Sequence, residues 1–145
     1  MIVYLDASAL VKRYIAEPGS TDVRDLVGDA QAVGTAVVSR AEVSAALARA
    51  VRVKLVSKTG GTSALAAFTA EWPDLIRLQL TETLAARAGR LAWEHGLRGY
   101  DAVHLATALA WHEMLGEPVI VATYDRELWK SARACDLIAW PSPAP

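Results

Sequence analysis

Three short apolar runs, residues 2–5, 32–38 and 119–122, are separated by stretches of helical pattern, and no Asn-Gly or Asp-Gly turn joins any two strand candidates. Strands that alternate with helices and lack hairpin turns build a mostly parallel sheet, because a parallel neighbour needs a crossover, which is usually helical. The expected fold class is therefore α/β, with a central, mostly parallel sheet between helical layers. In such a sheet, ligands bind at the edge formed by the C-terminal ends of the strands.

The chain divides accordingly. After the first strand, residues 8–17 read as a short helix closed by Pro18-Gly19, and 20–27 as a second. The second strand, 32–38, leads into a helix beginning at Ser39, where Ser39 and Glu42 have the spacing of a capping box. Gly60-Gly61 is expected to break the chain, with 62–72 helical, Pro73-Asp74 a turn and 75–80 an alternating strand. Thr81 caps a helix to about residue 95. Asp101 opens a helix over 101–111 that is apolar nearly all round, and so belongs in the centre of the molecule. The strand at 119–122, a helix over 126–134 and a short strand at 137–140 follow.

With 145 residues, 53% of them hydrophobic, the expectation is one domain over residues 1–140 and a Pro-rich tail, 141–145, that is disordered. The 15 Lys and Arg against 16 Asp and Glu leave a net charge of -1, so nothing in the bulk charge attracts a polyanion. A local basic patch or bound metal ions would have to do so. Cys135 stands alone, and no Cys/His spacing resembles a zinc site, which fits a reducing cytoplasm. No apolar run approaches the roughly 18 residues of a membrane span, and Lys12-Arg13 follow the first apolar run, the wrong charge order for a signal peptide.

Asp6 and Asp125 directly follow strands, Glu42 follows one by a turn, and Asp101 begins the central helix. Each alone reads as an ordinary helix-start acid. Together they do not, because helix-end stabilisation is about 0.3–1 kcal/mol per carboxylate. Two carboxylates about 4 Å apart repel by roughly 4 kcal/mol at an effective dielectric near 20. A cluster of four either sheds charge by protonation or binds a hard divalent cation. Oxygen donors without thiolates favour Mg²⁺ or Mn²⁺ over zinc, and an open acidic site of that kind suits phosphate chemistry.

Other residues admit two readings. Ser8 and Thr123 either support the acids or act as ordinary caps. His104, three positions after Asp101, either bonds back to the helix start or is a satisfied core histidine. Lys12, Arg13, Arg40, Arg98, Arg126 and Lys130 lie close to the acids in sequence, and either form a positive rim for substrate or pair with the acids. The basic run Arg49, Arg52, Lys54 and Lys58 reads as a solvated face complementing a helix C-terminus. An RNA- or protein-binding module without turnover stays open as an alternative. So does a phosphatase with an Asp nucleophile at position 6, although such sites carry a second Asp two positions on, where this chain has Ser8.

The blocks YLDASALVKRY, SRAEVSAALAR, GYDAVHLATAL and VATYDRELWKSA, in this order, resemble the four signature blocks of PIN-domain proteins, specifically of VapC-type toxins from toxin–antitoxin pairs. The resemblance covers about residues 1–140. It implies a three-layer α/β/α PIN fold and an endoribonuclease dependent on Mg²⁺ or Mn²⁺. Asp6, Glu42, Asp101 and Asp125 would be the catalytic, metal-holding quartet, supported by Ser8 and Thr123. It also implies a homodimer, an RNA substrate and a cognate antitoxin.

Overall fold

The computed structural model describes all residues, Met1–Pro145. Its elements run β1 (Ile2–Leu5), α1 (Ala7–Leu10), α2 (Ser20–Gly28), β2 (Ala32–Ala36), α3 (Ser39–Arg52), α4 (Lys58–Glu71), β3 (Ile76–Leu78), α5 (Glu82–His95), α6 (Gly99–Leu115), β4 (Val119–Ala122), α7 (Arg126–Ala134) and β5 (Ile138–Trp140). The five strands form one sheet in the order β3-β2-β1-β4-β5, and every pairing is parallel. All strand C-termini therefore share one edge, with β1 at the centre.

Side chains alternate across the strands and so feed two cores. Val3 and Leu5 point into one, with Val43 and Leu47 of α3 and Ala64 and Phe68 of α4. Tyr4 points into the other, with Val119 and Val121 of β4, Leu105 and Leu109 of α6, and Leu128 of α7. This is the expected three-layer arrangement. Helix α6 is the buried central helix its composition demands, with Ala102, His104 through Ala108, and Trp111 among its buried positions. Gly34 of β2 lets it approach the sheet, since a Cβ there would lie 2.7 Å from the Trp111 ring.

Several boundaries differ from expectation for local reasons. The first helix stops at Leu10 and tightens into a 3₁₀ turn over Val11–Arg13, because the buried Lys12 ammonium binds Glu17 and the Pro18 carbonyl and folds the following segment back. Gly60-Gly61 does not break the chain. Ser57 caps α4 by accepting from the Gly60 N–H, and a bare Gly61 allows close packing, because a Cβ there would collide with Val51. Helix α6 begins two residues before Asp101, with Arg98 at its cap position. The strands at 32–38, 75–80 and 137–140 shorten to the paired residues. The tail lies against α7: Trp129 Nε1 donates to the Pro141 carbonyl at 2.9 Å, and Arg126 donates to the terminal oxygen of Pro145 at 2.8 and 3.1 Å.

Candidate active site

Asp6 leaves β1 in extended conformation and caps α1, its Oδ1 accepting the Ala9 N–H at 2.9 Å. The Ser8 hydroxyl lies 2.7 and 2.9 Å from its two oxygens, and Thr123 donates to Oδ2 at 2.7 Å. Those hydroxyls also receive backbone donors from the end of β4: Tyr124 N–H to Ser8 and Asp125 N–H to Thr123. The two central strands are thus joined through one carboxylate. Asp6 is almost fully buried, and burial pushes its carboxyl above the usual range against the opposing influence of His104, Thr123, Ser8 and the Ala9 N–H.

Glu42 reaches the same edge by a different route from the expected capping box. Helix α3 has Val38 at its cap position and so no side-chain cap, and Ser39 instead bonds the Thr35 hydroxyl at 2.7 Å, which donates to the Leu5 carbonyl beside Asp6. The Glu42 side chain is consequently free to face across to α6, where its Oε1 lies 2.7 Å from His104 Nε2. His104 is buried, and its Nδ1 lies 2.7 Å from the hydroxyl of fully buried Tyr4. An ionised carboxylate only accepts, so Nε2 donates to Glu42 and, in the neutral ring, Nδ1 accepts from Tyr4. Burial raises the Tyr4 phenol well above its ordinary pKa, consistent with an O–H that stays a donor.

Asp101, in the first turn of α6, and Asp125, which caps α7 through the Leu128 N–H, are joined by one guanidinium. Arg98 Nε bonds Asp101 Oδ2 at 2.9 Å and Nη2 bonds Asp125 Oδ2 at 2.7 Å. Burial raises the Asp101 carboxyl, the Arg98 hydrogen bond lowers it, and the neighbouring Asp125 charge raises it. Glu42, Arg98 and Asp101 line an open pocket of about 670 Å³ together with Gly99, Tyr100 and Val103.

Of the six basic residues near the acids in sequence, Arg98 is the one that pairs with them. Lys12 lies 4.3 Å from the Tyr124 ring centroid and pairs with Glu17; Arg13 pairs with Glu71; and Lys130 pairs with Glu127. Arg40 sits over the Trp72 ring at 5.8 Å, and Arg126 holds the tail. His104 is the site residue whose place the sequence left open. A basic side chain in the middle of the most apolar helix was the available signal.

The donor set fits a hard cation in its chemistry. It offers carboxylate oxygens and no thiolate, and the gap between Asp101 and Asp125 already holds a positive group. No three acidic, histidine or cysteine side chains converge on one point in this structure.

The C-terminal edge of this parallel sheet thus carries acids from four elements. The PIN domain family model matches residues 3–133. Ribonuclease VapC45 of Mycobacterium tuberculosis is 39% identical over 134 residues, covering 92% of this chain and 90% of the relative. The crystal structure of PAE2754 from Pyrobaculum aerophilum is similar with a TM-score of 0.67 at 19% identity, covering 96% of this chain and 89% of that one. The structure of VapBC2 from Rickettsia felis bound to a DNA fragment from their promoter gives a TM-score of 0.64 at 16% identity, covering 97% of this chain and all of that one. The chain belongs to the PIN-domain family.

Proposed function

We propose that the protein is a VapC-type endoribonuclease, the toxin of a toxin–antitoxin pair, that hydrolyses RNA with the help of Mg²⁺ or Mn²⁺ held by Asp6, Glu42, Asp101 and Asp125. The observation that carries this reading is the placement of the four acids along the same C-terminal edge of the sheet, where Asp101 and Asp125 share the Arg98 guanidinium. The bound ion would neutralise charge on the scissile phosphate and lower the pKa of the attacking water. The protein's own contribution is positional. Ser8 and Thr123 direct protons onto Asp6 and His104 directs one onto Glu42, which fixes the orientation of both carboxylates. The formal net charge of -1 repels RNA weakly at most.

The relatives named as VapC ribonucleases and the VapBC complex support an RNA substrate and an antitoxin partner. The experiment is cleavage of a mixed-sequence RNA panel by the purified protein with Mn²⁺, with EDTA, and with Asp101→Asn. Cleavage that needs the metal and Asp101, leaving 5′-phosphate and 3′-hydroxyl ends, is the expected result. Undiminished cleavage in EDTA, or cyclic phosphate ends, would overturn it.

A further inference from the structure

Arg98 lines the acidic pocket, and its guanidinium makes side-chain hydrogen bonds to two carboxylates, Asp101 and Asp125, and to no other group. Arg98 occupies the cap position of α6, but its side chain makes no cap hydrogen bond and is 79% exposed. Both pairs are short and end on different carboxylates, so the guanidinium spans the space between Asp101 and Asp125. Without it these two acids would be like charges in the same neighbourhood with no cation between them. An exposed ion pair rearranges at little cost in free energy, so the arrangement is firm in geometry and weak in energy.

We propose that Arg98 is a built-in occupant of the metal site: it neutralises the Asp101–Asp125 gap in the metal-free protein, and a divalent cation binds there only by displacing it. Arg98 thereby sets the metal concentration at which the site fills. The inference rests on the metal-site reading above and adds a competitor supplied by the chain itself. The planar fork matters to it, because one Nε and one Nη2 reach two carboxylates at once, whereas a lysine ammonium is a single point charge on a flexible stem.

The test is Mn²⁺ binding, followed by loss of the free-ion electron paramagnetic resonance signal, to wild type, Arg98→Gln, Arg98→Lys and Asp101→Asn, each stripped of metal and checked for folding by circular dichroism. Arg98→Gln should bind Mn²⁺ at least tenfold more tightly than wild type. Arg98→Lys should fall between the two, and Asp101→Asn should bind most weakly. Equal or weaker binding by Arg98→Gln, with wild type binding and Asp101→Asn not, would overturn the inference and leave the metal site standing. Absence of binding by wild type and Arg98→Gln alike would overturn both.

Discussion

His104 Nε2 lies 2.7 Å from Glu42 Oε1, and this bond fastens the start of α3 to the buried face of α6 across a separation of 62 residues. Its strength depends on Tyr4, whose hydroxyl holds the other ring nitrogen at 2.7 Å. Tyr4→Phe keeps the ring and its packing but leaves Nδ1 without a donor in a dry site. The expected loss is about 1–3 kcal/mol, read by urea denaturation. RNA cleavage should fall far less than in Glu42→Gln, since the Nε2 contact survives. His104→Ala removes both contacts and opens a cavity, so it should destabilise more than Tyr4→Phe and weaken cleavage as well. A Tyr4→Phe protein as stable as wild type would show the chain Tyr4–His104–Glu42 to be unimportant.

Asp6 gives a prediction of opposite sign. Its carboxyl is raised in the folded protein by burial, while in the unfolded chain it titrates near the ordinary value of about 3.9. Below that value both states are protonated and the group has no effect. As pH rises through the elevated pKa, the unfolded chain releases its proton first, so the wild type loses stability. Asp6→Asn is free of this loss and should therefore be more stable than wild type at pH 7 in EDTA, with the difference closing towards pH 4. Paired urea curves at the two pH values measure it. The same substitution should abolish metal-dependent cleavage, since stability and function pull apart where a carboxylate is buried for chemistry.

What could be read from the chain follows from how local each signal is. Thr81 capping α5, the largely apolar α6 and the strand before Asp125 depend on neighbours a few positions away; the cap and the strand stand where the pattern put them, and α6 only extends beyond its expected ends. Ser39 had two partners open to it, the helix start and Thr35, and the bond from Thr35 to the Leu5 carbonyl of another strand decided between them. Gly61 could be judged only against Val51 of a different helix. Lys12 shows the limit most plainly. Being six positions from Asp6 places it near the site in sequence, but a buried ammonium goes to the nearest acceptors, and those are Glu17 and Pro18.

Gly34 offers a test of the fold independent of the site. It pairs with Tyr4 in the sheet and lies under the Trp111 ring, where a Cβ would be 2.7 Å from two ring carbons. Neither backbone strand nor buried indole can yield without disturbing α6. Gly34→Ala should destabilise by about 1–3 kcal/mol. The gain in strand propensity from alanine is too small to reverse the sign. Thermal and urea unfolding of the variant check this, and an unchanged midpoint would mean that α6 can shift away from the sheet.

Metal binding should also appear as stability. A cation that binds only the folded site stabilises it by mass action, about 2.7 kcal/mol at a free concentration one hundred times Kd. For a domain of this size that is a rise in Tm of about 5–11 °C. Wild type should show the rise with Mn²⁺, reversed by EDTA. Asp101→Asn should show little of it, because its first-turn position on α6 faces the gap that Arg98 now fills. Nonspecific binding to surface acids would raise both proteins alike, since the substitution removes one of 16 acidic residues. A difference between the two therefore reports the site, and equal shifts would place the metal elsewhere.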